Sequence, residues 1–148
     1  MKPRMIDFYM RIAEETAKLS RAVRLQVGCV IVKDDNIISF GWNGTPPGWD
    51  NNCEDPVYGF NSNGKMTVVE LKTKPEVLHA EANALLKLCR THESSTGASL
   101  FLTHAPCIEC AKMIKTAGIQ QVFYRDQYRN QDGIDFLKNC QLPITHHC

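Results

Sequence analysis

His79-Ala80-Glu81-Ala82-Asn83-Ala84-Leu85-Leu86-Lys87-Leu88, answered downstream by Ala105-Pro106-Cys107-Ile108-Glu109-Cys110, are the two stretches on which the reading of this 148-residue chain turns. Zinc prefers tetrahedral nitrogen and sulfur ligands, and a catalytic zinc takes three of them from the protein and leaves the fourth position to water. His79, Cys107 and Cys110 supply three. A spacing of three residues lets both cysteines face one ion from the first turn of a helix, where the helix dipole also favours the thiolate. Pro106 suits the start of that helix, where no N–H donor is needed. Glu81, two residues after His79, is placed to take a proton from metal-activated water without itself binding the ion. The alternative is a closed structural knot with a fourth ligand from Cys29, Cys53, Cys89 or a histidine. Such a knot has no use for Glu81, and the agreement of several spaced elements favours the catalytic reading.

The totals bound the rest. The length suits one domain, residues 1–148, with room for a real core. A hydrophobic fraction of 43% beside 22% charged residues is ordinary for a soluble globular chain. A net charge of +1 argues against a strong electrostatic grip on nucleic acid. No apolar run approaches a membrane span. The opening residues, Met1 to Asp7, have no long apolar segment of the signal-peptide kind. The odd count of seven cysteines shows no disulfide framework and points to the reducing cytoplasm.

Taken in order, Ile6 to Leu19 is predicted as a helix with Phe8, Ile12, Thr16 and Leu19 on its buried face. Ser20 and Arg21 end it and read two ways: a solvated helix end, or an anion site in which hydroxyl and guanidinium suit a phosphate. The β-branched run Val27 to Val32 is predicted as a buried strand, with Cys29 as a packed thiol. Lys33 to Asn36 turns, and Ile37 to Trp42 returns antiparallel. The Gly41-to-Asp50 run is dense in Gly and Pro, so it fixes a loop of unusual shape. Its two tryptophans read either as turn packing or as part of a ligand loop, with Asn43 on a sugar or base. Asn51 to Lys74 is expected to be irregular, Val68 to Leu71 excepted as a short strand, and a stretch of that length is usually functional or mobile. Cys53, Glu54 and Asp55 lack the nearby histidines a second metal site would want. A helix is expected from near Glu76, a strand over 98–103, and a helix over 107–117 closed by Gly118. A strand over 121–124, a helix over 134–139 and a weak strand over 142–144 complete the chain. Tyr124, Tyr128 and Arg129 read as rim packing or as a face on which a base stacks.

His-x-Glu followed by Pro-Cys-x-x-Cys is the signature of the zinc nucleobase deaminases. With Gln26-Val27-Gly28-Cys29-Val30-Ile31-Val32 and Gly41-Trp42-Asn43-Gly44-Thr45-Pro46-Pro47-Gly48 added, the chain resembles the cytidine deaminase superfamily, and within it the deoxycytidylate deaminases of the compact phage type. Only Asn51 to Lys74 and the His146-His147-Cys148 tail fall outside the likeness. The resemblance implies a three-layer α/β fold, a five-stranded mixed sheet flanked by helices, assembled as a homo-hexamer in the cytoplasm of a host cell. It implies Zn2+ on His79, Cys107 and Cys110, catalysis by Glu81, and hydrolysis of dCMP to dUMP and ammonia, supplying dUMP for thymidylate synthesis. It places the 5′-phosphate at Ser20 and Arg21, the sugar at Asn43, and the base near Tyr128, Ala80 and Ala105. It further implies activation by dCTP with Mg2+ and inhibition by dTTP. Those effectors would meet Phe40, Trp42, Gly44, Thr45, Pro46 and Gly48, with Asn83 and Arg90 as relays. Glycines let a nucleotide approach backbone closely, and prolines lower the ordering cost of such a loop. Two positions depart from the family pattern: Ala82, where Leu is usual, and His104, where a hydrophobic residue is usual.

Rival readings are separable. A tRNA adenosine deaminase shares the zinc signature but should carry a basic surface and lacks the Gly41-to-Gly48 pattern. A free-nucleoside cytidine deaminase usually binds zinc through three cysteines, whereas position 79 is His. A zinc-stabilised binding module without activity would tolerate Glu81→Gln.

Overall fold

The computed structural model describes residues 1–148 throughout. The elements run α1 (Pro3–Ala17), β1 (Gly28–Lys33), β2 (Asn36–Trp42), β3 (Glu54–Phe60), β4 (Met66–Thr73), α2 (Ala80–Leu88), β5 (Ser99–His104), α3 (Ile108–Thr116), β6 (Gln121–Asp126), α4 (Asp132–Asn139) and β7 (Ile144–His146). Five strands form one sheet in the order β2-β1-β5-β6-β7. β1 pairs antiparallel with β2 and β5, while β5, β6 and β7 run parallel, so the sheet is mixed, as expected.

Successive side chains of a strand point to opposite faces, and both faces are covered here. Val30 and Val32 join Tyr9, Met10, Ala13, Phe101 and Phe123 under α1. Cys29 and Ile31 join Ala80, Ala84, Leu100, Leu102, Ala111, Ile114 and Leu137 under α2, α3 and α4. The result is a helix–sheet–helix sandwich in three layers. It explains why Cys29 to Val32 reads as an unbroken apolar run: no residue of it meets water.

Three expectations are corrected. α1 starts at Pro3, whose missing N–H is no loss in a first turn, and its buried face is Tyr9, Met10, Ala13, Thr16 and Ala17. Phe8 and Leu19 are exposed. The small residues decide the orientation, because a Cβ on Gly28 would lie 2.0 Å from the Ala13 carbonyl oxygen and 2.6 Å from the Ala17 nitrogen. The helix presents its alanines so that it can come this close to β1. Asn51 to Lys74 is not mainly irregular: β3 and β4 pair as an antiparallel hairpin separate from the main sheet. Its turn is built by Asn61, whose Oδ1 accepts from the Asn63 and Lys65 nitrogens, and by Gly64 at φ 73°. Finally, α2 begins at Ala80 and not near Glu76, which makes His79 its N-cap residue.

Candidate active site

His79 and Cys107 occupy equivalent places: each is the extended N-cap residue of a helix, α2 and α3 respectively, and neither makes a side-chain capping bond. N-caps normally favour Ser, Thr, Asp or Asn, whose oxygen accepts from the first turn. Here both cap side chains are turned to other work. Cys110 sits one turn into α3, and the positive ends of two helix dipoles converge on the same point. The Nδ1 of His79 lies 3.5 Å from the Cys107 Sγ and 3.4 Å from the Cys110 Sγ, and all three donor atoms fall within 4.8 Å of one another. A tetrahedral zinc with Zn–S near 2.3 Å and Zn–N near 2.0 Å would need nitrogen–sulfur edges of roughly 3.5 Å. The donor set fits the ion in both chemistry and spacing. No fourth cysteine or histidine joins the cluster, so Cys29, Cys53 and Cys89 do not close a knot, and Cys53, Glu54 and Asp55 form no second one.

Glu81 is buried, with 4% of its surface exposed. Burial pushes its carboxyl up to about 7, against the opposing pull of its own backbone N–H and of His79. An acid poised near neutrality is what a group that both takes and returns a proton requires. Cys107 is drawn down to about 3, chiefly by the hydrogen bond from Cys110, while Cys110 is pushed up through that same bond. The two sulfurs thus share a proton that a cation would displace.

His79, Glu81 and Cys107 line a cavity of about 300 Å³, with Ala22, Arg24, Leu25, Val27, Asn43, Glu54, Thr73, Val77, Ala80, His104, Ala105, Tyr128 and Arg129. Of the expected substrate contacts, Asn43, Ala80, Ala105 and Tyr128 are therefore brought together with the metal cluster. Asn43 is also structural: its Oδ1 accepts from the Val27 nitrogen and its Nδ2 donates to the Leu25 carbonyl, both at 2.8 Å. Ala105 is fixed by its nitrogen donating to the Asp126 carbonyl. Ser20 and Arg21 do not line the cavity. Ser20 is buried, its hydroxyl donating to the Asn43 carbonyl at 2.7 Å and accepting from the Ala22 nitrogen, and Arg21 is exposed. The arginines that line the cavity are Arg24 and Arg129. Tyr124 belongs to the core. His104, at the position that departs from the family pattern, also reaches the cavity, where burial holds its imidazole below the usual value.

None of the residues expected to meet an effector lines this cavity. Phe40 and Trp42 stack with ring centroids 6.2 Å apart, and the Lys87 ammonium sits 4.8 and 4.5 Å from their centroids. Asn83 donates through Nδ2 to the Trp42 carbonyl. Gly44 exchanges two backbone hydrogen bonds with Leu78, next to the metal ligand His79. Thr45 donates to the Asp50 carbonyl, Pro46 accepts from the Trp49 nitrogen, Gly48 has φ 91°, and Arg90 is exposed beyond α2. No helix is long and apolar enough to cross a membrane.

Residues 3–126 match the cytidine and deoxycytidylate deaminase zinc-binding region. The fold matches the crystal structure of dCMP deaminase from cyanophage S-TIM5 in complex with dCMP and dUMP, with a TM-score of 0.86 and 41% identity over 99% of each chain. Deoxycytidylate deaminase of phage T4 is 30% identical over 91% of this chain and 86% of its own length. Deoxycytidylate deaminase of Saccharomyces cerevisiae is 31% identical over 97% of this chain, which spans 45% of the yeast protein.

Proposed function

The chain belongs to the cytidine and deoxycytidylate deaminase family, on its deoxycytidylate branch, and we propose that it hydrolyses dCMP to dUMP and ammonia. The observation that carries this reading is one cavity lined by a buried Glu81, by His79 and Cys107 of the His79–Cys107–Cys110 cluster, and by Arg24 and Arg129. The first group suits the amine-bearing carbon of a cytosine, the second a 5′-phosphate. The cyanophage relative, solved with dCMP and dUMP, supports the same substrate.

His79, Cys107 and Cys110 would hold Zn2+, which would supply a Lewis acid able to make water acidic near neutral pH. Glu81 accepts the proton of the attacking water and delivers it to ring N3, so that C4 becomes electrophilic. Oxygen adds to C4, Glu81 carries the second proton to the exocyclic amine, and ammonia leaves as the C4 carbonyl forms. Burial raises the Glu81 carboxyl above the usual carboxylate range, which favours a group that both takes and returns a proton. The backbone at Ala80 and Ala105 and the ring of Tyr128 border the base, Asn43 borders the sugar, and Arg24 and Arg129 take the phosphate. Ser20 supports Asn43 from behind. The product would feed thymidylate synthesis in a host cytoplasm, and the net charge of +1 favours a free nucleotide over nucleic acid.

The test is a panel of dCMP, CMP, deoxycytidine and adenosine-containing RNA with ammonia release as readout. dCMP should be preferred, and Arg129→Ala should raise KM for dCMP about tenfold or more while changing deoxycytidine little. A preferred RNA substrate, or equal use of dCMP and deoxycytidine, would refute the reading.

Regulation forms the finer part of the proposal: dCTP with Mg2+ activates and dTTP inhibits a homo-hexamer. The exposed Phe40 stacked on the half-buried Trp42 supports it, together with two short links inward, Asn83 to Trp42 and Gly44 to Leu78. Coupling requires unequal effector affinity for two states of the assembly. dCMP saturation curves should shift in opposite senses with dCTP and dTTP, and Arg90→Glu should weaken both shifts. Curves indifferent to both nucleotides would eliminate the regulatory role.

A further inference from the structure

We propose that Glu54 and Thr73, paired across the root of the β3–β4 hairpin, are positioning residues for Arg24, so that the hairpin sets the preference for a nucleotide over a nucleoside. This rests on the dCMP reading above and extends it to the β3–β4 hairpin, which falls outside the likeness read from the sequence but lies within the matched residues 3–126.

The cavity wall between α1 and β1 contains no helix or strand over residues 18–27, so other groups must hold it. Asn43 does so on one flank through Val27 and Leu25. The other flank is the hairpin. The Glu54 Oε1 accepts from the Val23 nitrogen at 2.9 Å and from the Arg24 nitrogen at 3.1 Å. The guanidinium of Arg24 donates from Nη1 to the Thr73 hydroxyl at 3.1 Å. Glu54 and Thr73 are direct partners in the strand register, and the root is closed by the Lys74 nitrogen donating to the Cys53 carbonyl at 2.9 Å. Both ends of Arg24, its amide and its guanidinium, are therefore fixed by one pair of facing residues.

Burial marks this root as different from the rest of the hairpin. Residues 61–70 are all exposed, whereas Cys53 and Glu54 are 1% and 6% exposed. A carboxylate is taken out of water only where donors replace it, and the donors here are backbone amides of the very loop that carries Arg24. Glu54, Thr73 and Arg24 all line the cavity, and the hairpin tip does not. A free arginine side chain loses considerable rotamer entropy when it closes on a ligand. Holding it in advance moves that cost from binding to folding. The benefit falls only on a substrate that meets the guanidinium, which is one bearing a phosphate.

The test compares wild type, Glu54→Ala, Glu54→Gln and Thr73→Val on dCMP and deoxycytidine, with affinities for dUMP and deoxyuridine measured by calorimetry. Glu54→Ala should raise KM for dCMP and Kd for dUMP about tenfold or more, the scale of losing hydrogen bonds to a charged group, with kcat and both nucleoside values changing less than about twofold. Glu54→Gln keeps an oxygen for the two amides and should stay within about threefold of wild type. Thr73→Val keeps the shape without the acceptor and should raise the nucleotide values about threefold to fivefold. Nucleotide and nucleoside values rising together, or kcat falling at constant KM, would overturn the positioning role. If Glu54→Ala does not fold, an unchanged dUMP affinity in Thr73→Val overturns it instead. A wild type that uses dCMP and deoxycytidine equally would refute the substrate reading. A wild-type nucleotide preference that survives Glu54→Ala would refute only the role of the hairpin.

Discussion

Glu81→Gln will hold zinc and lose turnover, with kcat reduced on the order of 10²-fold to 10⁴-fold, the range a positioned general acid–base group supplies. The metal ligands are His79, Cys107 and Cys110, so elemental analysis should find the same zinc content in both proteins. The substitution has a second effect of the opposite sign. In metal-free protein the carboxyl is raised to about 7 by burial, above the 4.5 or so it has in an unfolded chain. A raised carboxyl contributes its full stability below the unfolded value and loses it progressively as pH climbs through the folded value. Stripped of metal, wild type should therefore weaken between about pH 4.5 and 7, and Glu81→Gln should not. At pH 8 the variant should be the more stable by up to about 3 kcal/mol, read from urea midpoints across a pH series. Wild-type turnover retained by the variant would remove Glu81 from the mechanism. A parallel pH dependence of both proteins would show that the buried carboxyl is not strained.

The metal ligands and Glu81 were legible because their signal is local. Two residues in one turn and two in another state a ligand geometry without reference to anything distant. The buried strand at Val27 to Val32 was legible for a similar reason, since a run covered on both faces leaves no polar position. The face of α1 was not legible in the same way. Phe8 and Leu19 are the larger apolar residues, yet an approach to Gly28 so close that a Cβ there would meet the Ala13 carbonyl oxygen at 2.0 Å selected the alanine side, and that contact joins residues far apart in sequence. The hairpin was obscured by Pro56 inside β3, a residue that demotes a strand to an edge. The turn signal Asn61-Ser62-Asn63-Gly64 was nonetheless present, and Gly64 behind an Asn is a strong hairpin mark.

The cavity arginines were missed for a related reason. Ser20 and Arg21 end a helix and so attract notice, while Arg24 and Arg129 lie in loops with no periodicity to distinguish them. What aims Arg24 is Glu54, thirty residues away, and what brings Arg129 to the same cavity is the end of β6. The sequence groups Arg129 with Tyr124 and Tyr128 as rim packing or as a base-stacking face, and the cavity includes Tyr128 and Arg129. Loop residues carry function because a scaffold positions them, and here the scaffold is assembled from segments the sequence does not place side by side.

Gly133→Ala, a single methyl group remote from the metal in sequence, should damage the site nearly as much as loss of a ligand. Gly133 lies in the first turn of α4, and a Cβ there would sit 2.0 Å from the Pro106 carbonyl oxygen and 2.9 Å from that of Cys107. Both neighbours are backbone, so no side chain can swing aside. The turn that the methyl strikes is the one that delivers Cys107 to the cluster and starts α3. Either α4 retreats from α3, opening the core at Ile134 and Leu137, or the Pro106–Cys107 turn moves and the sulfur with it. Overpacking of this kind costs about 1–3 kcal/mol and more where backbone cannot yield. Displaced supports of a metal ligand typically weaken the metal by about 10-fold to 100-fold. The expected result is an unfolding free energy, from urea titration, lowered by about 2 kcal/mol or more, together with faster loss of zinc to a competing chelator. Asp135→Ala, at an exposed position of the same helix, is the control and should stay within about 0.5 kcal/mol. Zinc affinity unchanged in a destabilised Gly133→Ala protein would mean that α4 yields and the Pro106–Cys107 turn is held rigidly by β5 alone.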